Sequence, residues 1–272
     1  MMELSPIKTI ALKEFHERLR HRWVLAIGIV FAVFSLAIAY FGGTQEGAVG
    51  FRSIDFTIAS LVSLVIYLIP LIALMLGFDA IVGERERGSL DLLLSLPVTR
   101  FELLLGKFFG LAMALGLSMV GGFGLAAVVF YRQFDRVTLP HFLGFVLSSL
   151  LLGLAFLSLA LLLSVVTRDR TRASGLAIML WFLFVLVFDL LLLGTLVSTS
   201  GAFAGDGFAY LLLLNPADVF RLFNLQSLDA VQTDYALMEL VPPTLAHPGA
   251  LLLVMLGWIV VPLWLAQWRF KP

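Results

Sequence analysis

Apolar residues in this chain neither alternate with polar ones nor keep to one helical stripe; they gather into long unbroken runs. Six such runs lie near Trp23–Phe41, Ile58–Val82, Phe108–Tyr131, Phe142–Val166, Ala173–Val197 and Gly249–Trp268. Each approaches the roughly 20 residues that a helix needs to cross the hydrocarbon core of a bilayer. Barrel strands would be shorter and would alternate, so the pattern predicts six transmembrane helices. Ala37-Ile38-Ala39 resembles a signal-peptidase site. The segment before that apolar run is 22 residues long and carries three acids, which favours its retention as the first span.

Residues 3–22 have another rhythm. Ile7, Ile10, Ala11, Phe15 and Leu19 recur at helical spacing, with Lys8, Lys13, Glu14, Glu17 and Arg18 on the other faces. Ser5 suits an N-cap and Pro6 a first helical position. This reads as an amphipathic helix in the membrane interface. His16 and His21 fall here, and solvated histidines among headgroups fit better than a metal site.

The connection from Gly83 to Lys107 reads GERERGSLDLLLSLPVTRFELLLGK. Glu84, Arg85, Glu86 and Arg87 alternate in sign below the second span, and Gly88 breaks the chain direction. Ser89 can cap a short helix carrying Leu90, Leu92, Leu93, Leu94 and Leu96, which Pro97 stops. Thr99 and Glu102 have the spacing of a capping box and start the helix that becomes span three. The expectation is a helical hairpin whose leucines pack either on the bundle's own underside or on a partner. Span three carries Gly106, Gly110, Ala114, Ser118, Gly122 and Ala126 at every fourth position, a stripe for close helix packing within the subunit or across a dimer.

The segment Ser198–Pro248 forms a long outer loop with a seven-residue apolar stretch, Phe208–Leu214, too short to span. Asn215 and Pro216 can start a helix bearing Val219, Phe220, Leu222, Phe223 and Leu225. A re-entrant or interfacial lid and a solvated acidic loop both fit. Asp206, Asp218, Asp229, Asp234 and Glu239 oppose only Arg221 there.

Composition agrees with a bilayer. Of 272 residues, 61% are hydrophobic and 13% charged, against about 45–50% and about 25% in soluble domains. Mean hydropathy is +1.03. With both termini inside, 14 of the 18 basic residues face the cytoplasm and four the outside, which sets the orientation. Charge is balanced, so a nucleic-acid partner has no support. Cysteine is absent, which excludes disulfides, thiolate metal sites and cysteine nucleophiles.

No phosphate-binding GxxxxGK[ST], no HExxH and no GxSxG occurs, so no ATPase or hydrolase site is expected in this chain. The scattered histidines 16, 21, 141 and 247 and the methionines give no metal-ligand spacing. Asp189 is the one acid deep within a span, where acids are costly and often functional. A helix–helix bond is the favoured role, a proton relay the alternative. Asp79, near the inner end of span two, can reach the interface or Arg85.

The Gly83–Lys107 segment resembles the signature of ABC-2-type permeases, E-x-E-x-G-[ST]-L-[DE]-x-L-L-x-x-P-V-[ST]-R-x-E-x-x-x-G-K. Glu84, Glu86, Gly88, Ser89, Leu90, Asp91, Leu93, Leu94, Pro97, Val98, Thr99, Arg100, Glu102, Gly106 and Lys107 carry the match. The resemblance implies an all-α membrane protein over residues 1–272. It would have an elbow helix (1–22), six transmembrane helices, a coupling hairpin (83–107) and outer re-entrant helices (198–248), as in type V exporters. Glu84, Arg85, Glu86, Arg87, Gly88, Leu90, Leu93, Leu94, Pro97 and Arg100 would contact a separate cytoplasmic ATPase, which would bind ATP and magnesium; the chain itself would hold no cofactor.

Within the family, GFDAIVGERERGSLDLLLSLPVTRFELLLGKF and NPADVFRLFNL point to permeases of the system for copper-site maturation of nitrous-oxide reductase. That narrower resemblance implies a homodimer on two ATPase copies in the inner membrane, with a periplasmic partner. The cargo would be copper, a sulfur species, or none. The contrasting expectation is a proton-coupled secondary carrier, which would need no ATPase.

Overall fold

A computed structural model describes residues 4–20, 23–41, 54–133, 139–198, 210–225 and 247–270. Among these the regular structure is helical. Helix α1 covers Leu4–Arg20 and α2 covers Trp23–Phe41; their axes differ by 65°. Next come α3 (Ile54–Gly77), the short α4 (Val82–Glu86) and α5 (Ser89–Ser95), then α6 (Arg100–Gln133) and α7 (Leu139–Val166). Helix α8 (Arg170–Phe182) passes through a π-turn at Leu183–Val187 into α9 (Phe188–Ser198). Helices α10 (Pro216–Leu225) and α11 (Pro248–Arg269) complete the set.

Five helical stretches are long and apolar enough to cross a membrane: Ile58–Glu86, Arg100–Val128, Phe142–Val166, Arg170–Ser198 and Pro248–Arg269. The 19-residue α2 is the sixth candidate. The six apolar runs therefore correspond to helices. Two differ in detail: the second run breaks at residues 78–81, and the fifth contains the π-turn.

Helix α7 is the central post. It packs on α3, α6, α8, α10 and α11, and it is the most buried of the five spans. That is why its sequence is apolar on every side and contains Gly153, where a Cβ would come within 2.8 Å of the Leu115 side chain. A run of tilted and edge-to-face rings extends from Phe31 through Phe123 and Phe145 to Phe220, joining α2, α6, α7 and α10.

The small-residue stripe on α6 is used inside the subunit. A Cβ on Gly106 would lie 2.7 Å from Cβ of Ile10, and one on Gly110 2.6 Å from the Ala11 carbonyl oxygen. One on Gly122 would meet the Gly28 carbonyl oxygen at 2.6 Å. Gly106 and Gly110 thus seat α1, and Ser118 and Gly122 seat α2, while Ala114 and Ala126 are buried along the same helix. The face of α1 that meets α6 is Ile7, Ile10, Ala11 and Glu14; Phe15 and Leu19 stay half-buried. Helical geometry in α1 already includes Leu4, so Ser5 is not its cap.

Candidate functional site

The α4–α5 hairpin is built from residues that satisfy each other's helix ends. Ser164 Oγ, on α7, accepts from the amides of Ile81 (2.8 Å) and Val82 (3.0 Å) at the start of α4. Arg85 returns the exchange. Its guanidinium donates to the carbonyls of Val165 (3.2 and 3.3 Å) and Thr167 at the end of α7. Helix ends leave such amides and carbonyls without intrahelical partners, so α4 and α7 cap one another.

Gly88 turns the chain at φ 71°, in the left-handed region that glycine enters freely. It occupies the cap position before α5, so Ser89 is already helical; its hydroxyl donates to the Glu84 carboxylate instead of capping. Leu96 is extended, as a residue before proline prefers. The Thr99–Glu102 box forms as its spacing predicts. Thr99 N and Oγ1 both donate to Glu102 Oε2 at 2.8 Å, and Glu102 N donates to Thr99 Oγ1 at 3.2 Å.

Beneath the hairpin runs a chain of ions. Arg18 pairs with Glu14 (3.1 Å), Glu14 with Lys107 (3.1 Å), and Lys107 with Glu84 (3.4 Å). Lys107 and Glu14 are both buried. The series joins α1, α6 and α4, and through Ser89 it reaches α5.

The four alternating charges are therefore turned into the chain more than expected. Glu84 faces Lys107 and Ser89, and Arg85 faces the end of α7. Glu86 Oε1 accepts from Arg170 N (2.7 Å) at the start of α8, and Arg87 Nε donates to its own Gly83 carbonyl (3.0 Å). Asp79 does not reach Arg85; it binds Arg170, with Nε–Oδ1 2.6 Å and Nη2–Oδ2 2.7 Å. Arg100 Nη1 donates to the Phe270 carbonyl (3.0 Å), tying the start of α6 to the end of α11.

The leucines divide between two surfaces. Leu90 is buried, and Leu93 and Leu94 pack on the core of the bundle. Leu92 is 71% exposed and Leu96 55% exposed, with Pro97 beside them. Of the two packing surfaces left open by the sequence, the bundle takes three leucines and the outside is left with two.

A second polar constellation sits away from the hairpin. The Asn215 side chain starts α10 as predicted, accepting from Ala217 N at 3.0 Å. Its Nδ2 donates to the Phe184 carbonyl inside the π-turn (2.8 Å) and to Asp218 Oδ2 (2.8 Å). Arg221 Nη1 binds Asp218 Oδ1 (2.7 Å), and its Nη2 binds Asp189 Oδ2 (3.0 Å). Asp189 thus has a basic partner that its own segment gave no sign of. Helix α10 is no thin lid either. Ala217, Asp218, Val219, Phe220 and Asn224 are all buried, and Asn224 Oδ1 accepts from Ser148 of α7 (3.0 Å). Too short to span, α10 is a plug among α3, α7, α11 and the π-turn. Burial pushes the Asp218 carboxyl up to about 7; Arg221 and Asn215 oppose this and Asp189 adds to it. Burial works against the Arg221 charge, yet the two carboxylates hold it above its ordinary value. Asp206, Asp229, Asp234 and Glu239 lie outside the described residues, as do His21 and His141 side-chain contacts.

A bundle of membrane-length helices, interrupted by a capped hairpin that carries the permease signature, defines a transporter membrane subunit. The sequence profile of the ABC-2 family transporter proteins matches residues 8–272, and the chain belongs to that family. It is similar to the probable ABC transporter permease protein NosY of Stutzerimonas stutzeri, 44% identical over 272 residues, covering 98% of this chain and 99% of that one. It is also similar to the protein of the same description from Pseudomonas aeruginosa PAO1, 45% identical over 267 residues and 97% of each chain.

Proposed function

We propose that the α4–α5 hairpin is where a cytoplasmic ATPase grips this permease and moves it. The observation that supports this is the contrast between base and tip. The base is bound to α1, α6, α7 and α8 by ion pairs and mutual capping. The tip offers Leu92, Leu96 and Pro97 without cover from the chain. Apolar side chains beside water on an otherwise tied-down element suit a docking surface. Arg87, also exposed, would steer the encounter more than it would hold it.

The fuller assembly follows the NosY-like proteins. Two copies of this chain would stand on two copies of a NosF-like ATPase that binds ATP and magnesium. The termini and hairpin would face the cytoplasm, as the basic residues imply. Helix α1 would be the elbow and α10 the re-entrant element. A NosD-like protein would join on the periplasmic side. ATP hydrolysis would drive export of copper or a sulfur species, or a mechanical action on that partner, in copper-site maturation of nitrous-oxide reductase.

The test is co-purification and ATPase assay of the complex in nanodiscs. Leu92→Ala with Leu96→Ala should weaken ATPase binding by at least about 30-fold, the equivalent of about 2 kcal/mol. Leu93→Ala with Leu94→Ala should instead lower the thermal stability of the permease. If the first pair leaves the ATPase bound and regulated as in the wild type, the hairpin is only a connector.

A further inference from the structure

Helix α10 brings a buried carboxyl against another carboxyl and, among the described residues, gives the two a single cation. Asp218 Oδ1 and Asp189 Oδ2 both take a hydrogen bond from Arg221, and the two acids lie close enough to bond each other. Asp218 is 1% exposed. With both acids ionised the group carries one negative charge too many for an apolar setting, and a buried charge without a partner is expensive. A single proton removes that charge. It also turns a carboxylate–carboxylate repulsion into a hydrogen bond.

We propose that Asp218 and Asp189 are a proton-binding pair around Arg221, and that the bound proton keeps α10 docked on the π-turn between α8 and α9. The two acids stand on opposite sides of that joint: Asp189 two residues past the π-turn, Asp218 in the first turn of α10. The other tie across the joint is Asn215 Nδ2, shared between the Phe184 carbonyl and Asp218 Oδ2. Loss of the proton therefore restores the repulsion between Asp218 and Asp189 across the joint, and the Asn215 and Arg221 contacts are left to hold it alone. The Arg221 and Asp189 side chains are 26% and 33% exposed, so the pair lies at the edge of the bundle and not in its centre.

Among the described residues, the charged and titratable groups facing the pair are few. Arg221 comes from α10 itself, Asp189 from α9, and Tyr67, which acts on Arg221, from α3, whose Asp55 side chain lies outside the described residues. The π-turn is wholly apolar in sequence. Helix α7 has only His141, outside the described side chains, and α11 has only Arg269, at its far end. Asp218 titrates near 7 when α10 is docked, against an ordinary 3.8. Docking thus takes up a proton between those values. It is strongest below the ordinary carboxylate range and weakens as pH rises towards about 7.

Two measurements on the full chain in nanodiscs test this. Infrared difference spectra should show one protonated carboxyl at pH 6 that is lost by pH 8 and is missing in Asp218→Asn. In Asp189→Asn the same carboxyl should titrate at least one pH unit lower, because its acidic neighbour is gone; this variant decides the matter if Asp218→Asn does not fold. Amide exchange in α10, corrected for its intrinsic pH dependence, should quicken at least tenfold from pH 5 to pH 8 in the wild type. The absence of a titrating carboxyl, a titration unmoved by Asp189→Asn, or α10 protection indifferent to pH would overturn the proposal.

Discussion

Lys107 shows how much one side chain can hold. It is the cation between Glu14 of α1 and Glu84 of α4, and it is almost fully buried. Lys107→Met should leave Glu14 with Arg18 alone and Glu84 with only its Ser89 hydrogen bond, at a cost of about 3 kcal/mol, the low end for a broken buried pair. The check is thermal unfolding of the purified chain, together with faster proteolysis of α1 as its anchor is lost. Gly110 is equally constrained for a steric reason. A Cβ there meets the Ala11 carbonyl oxygen and Glu14 Cβ, both at 2.6 Å and neither free to swing aside. Gly110→Ala should therefore destabilise by about 1–3 kcal/mol. Gly121→Ala, one step off the stripe with nothing within 4 Å, should be neutral or slightly stabilising in the same melt.

At the scale of elements, what could be read from the sequence was what is local. Apolar run length located the spans, because a bilayer sets the length a helix needs. The Thr99–Glu102 box and the Asn215–Pro216 start formed as read, because caps involve residues two or three apart. Partners distant in sequence could not be read. Asp79 chose Arg170 over the nearer Arg85, and Asp189 found Arg221 across 32 positions. Ser164 gave no sequence sign that it would cap α4. The π-turn was invisible as well: Leu183–Val187 has the same apolar makeup as its neighbours, and only the Asn215 bond to the Phe184 carbonyl reveals its use. Leucine spacing implied an apolar face on α5, but not that Leu93 and Leu94 would turn inward while Leu92 turned out.

For the whole molecule, the prediction concerns sidedness. Reporter fusions after Lys13, within Gly88–Pro97 and after Arg269 should report the cytoplasm. Fusions within Thr44–Gly50 and Thr199–Gly207 should report the outside. A cytoplasmic signal from the last of these would break the six-span arrangement, since the distribution of basic residues requires the opposite. The contact between Arg100 and the Phe270 carbonyl sets a second constraint, because it places the start of α6 and the end of α11 on one side.

Helix α6 runs without interruption for 34 residues from the capping box at the hairpin's base. At 1.5 Å per residue that is a rod of about 50 Å, well beyond the roughly 30 Å of hydrocarbon it has to cross. Such a rod works like an oar. Pivoted at its middle, a tilt of about 5° sweeps each end by about 2 Å. Since α1 and α2 lie along the same shaft at Gly106, Gly110 and Gly122, with no side-chain cushion between, they must swing with it. The α8–α9 helix, with its π-turn at mid-length, and the stretch Ile58–Glu86, with its break at residues 78–81, are by contrast jointed spans.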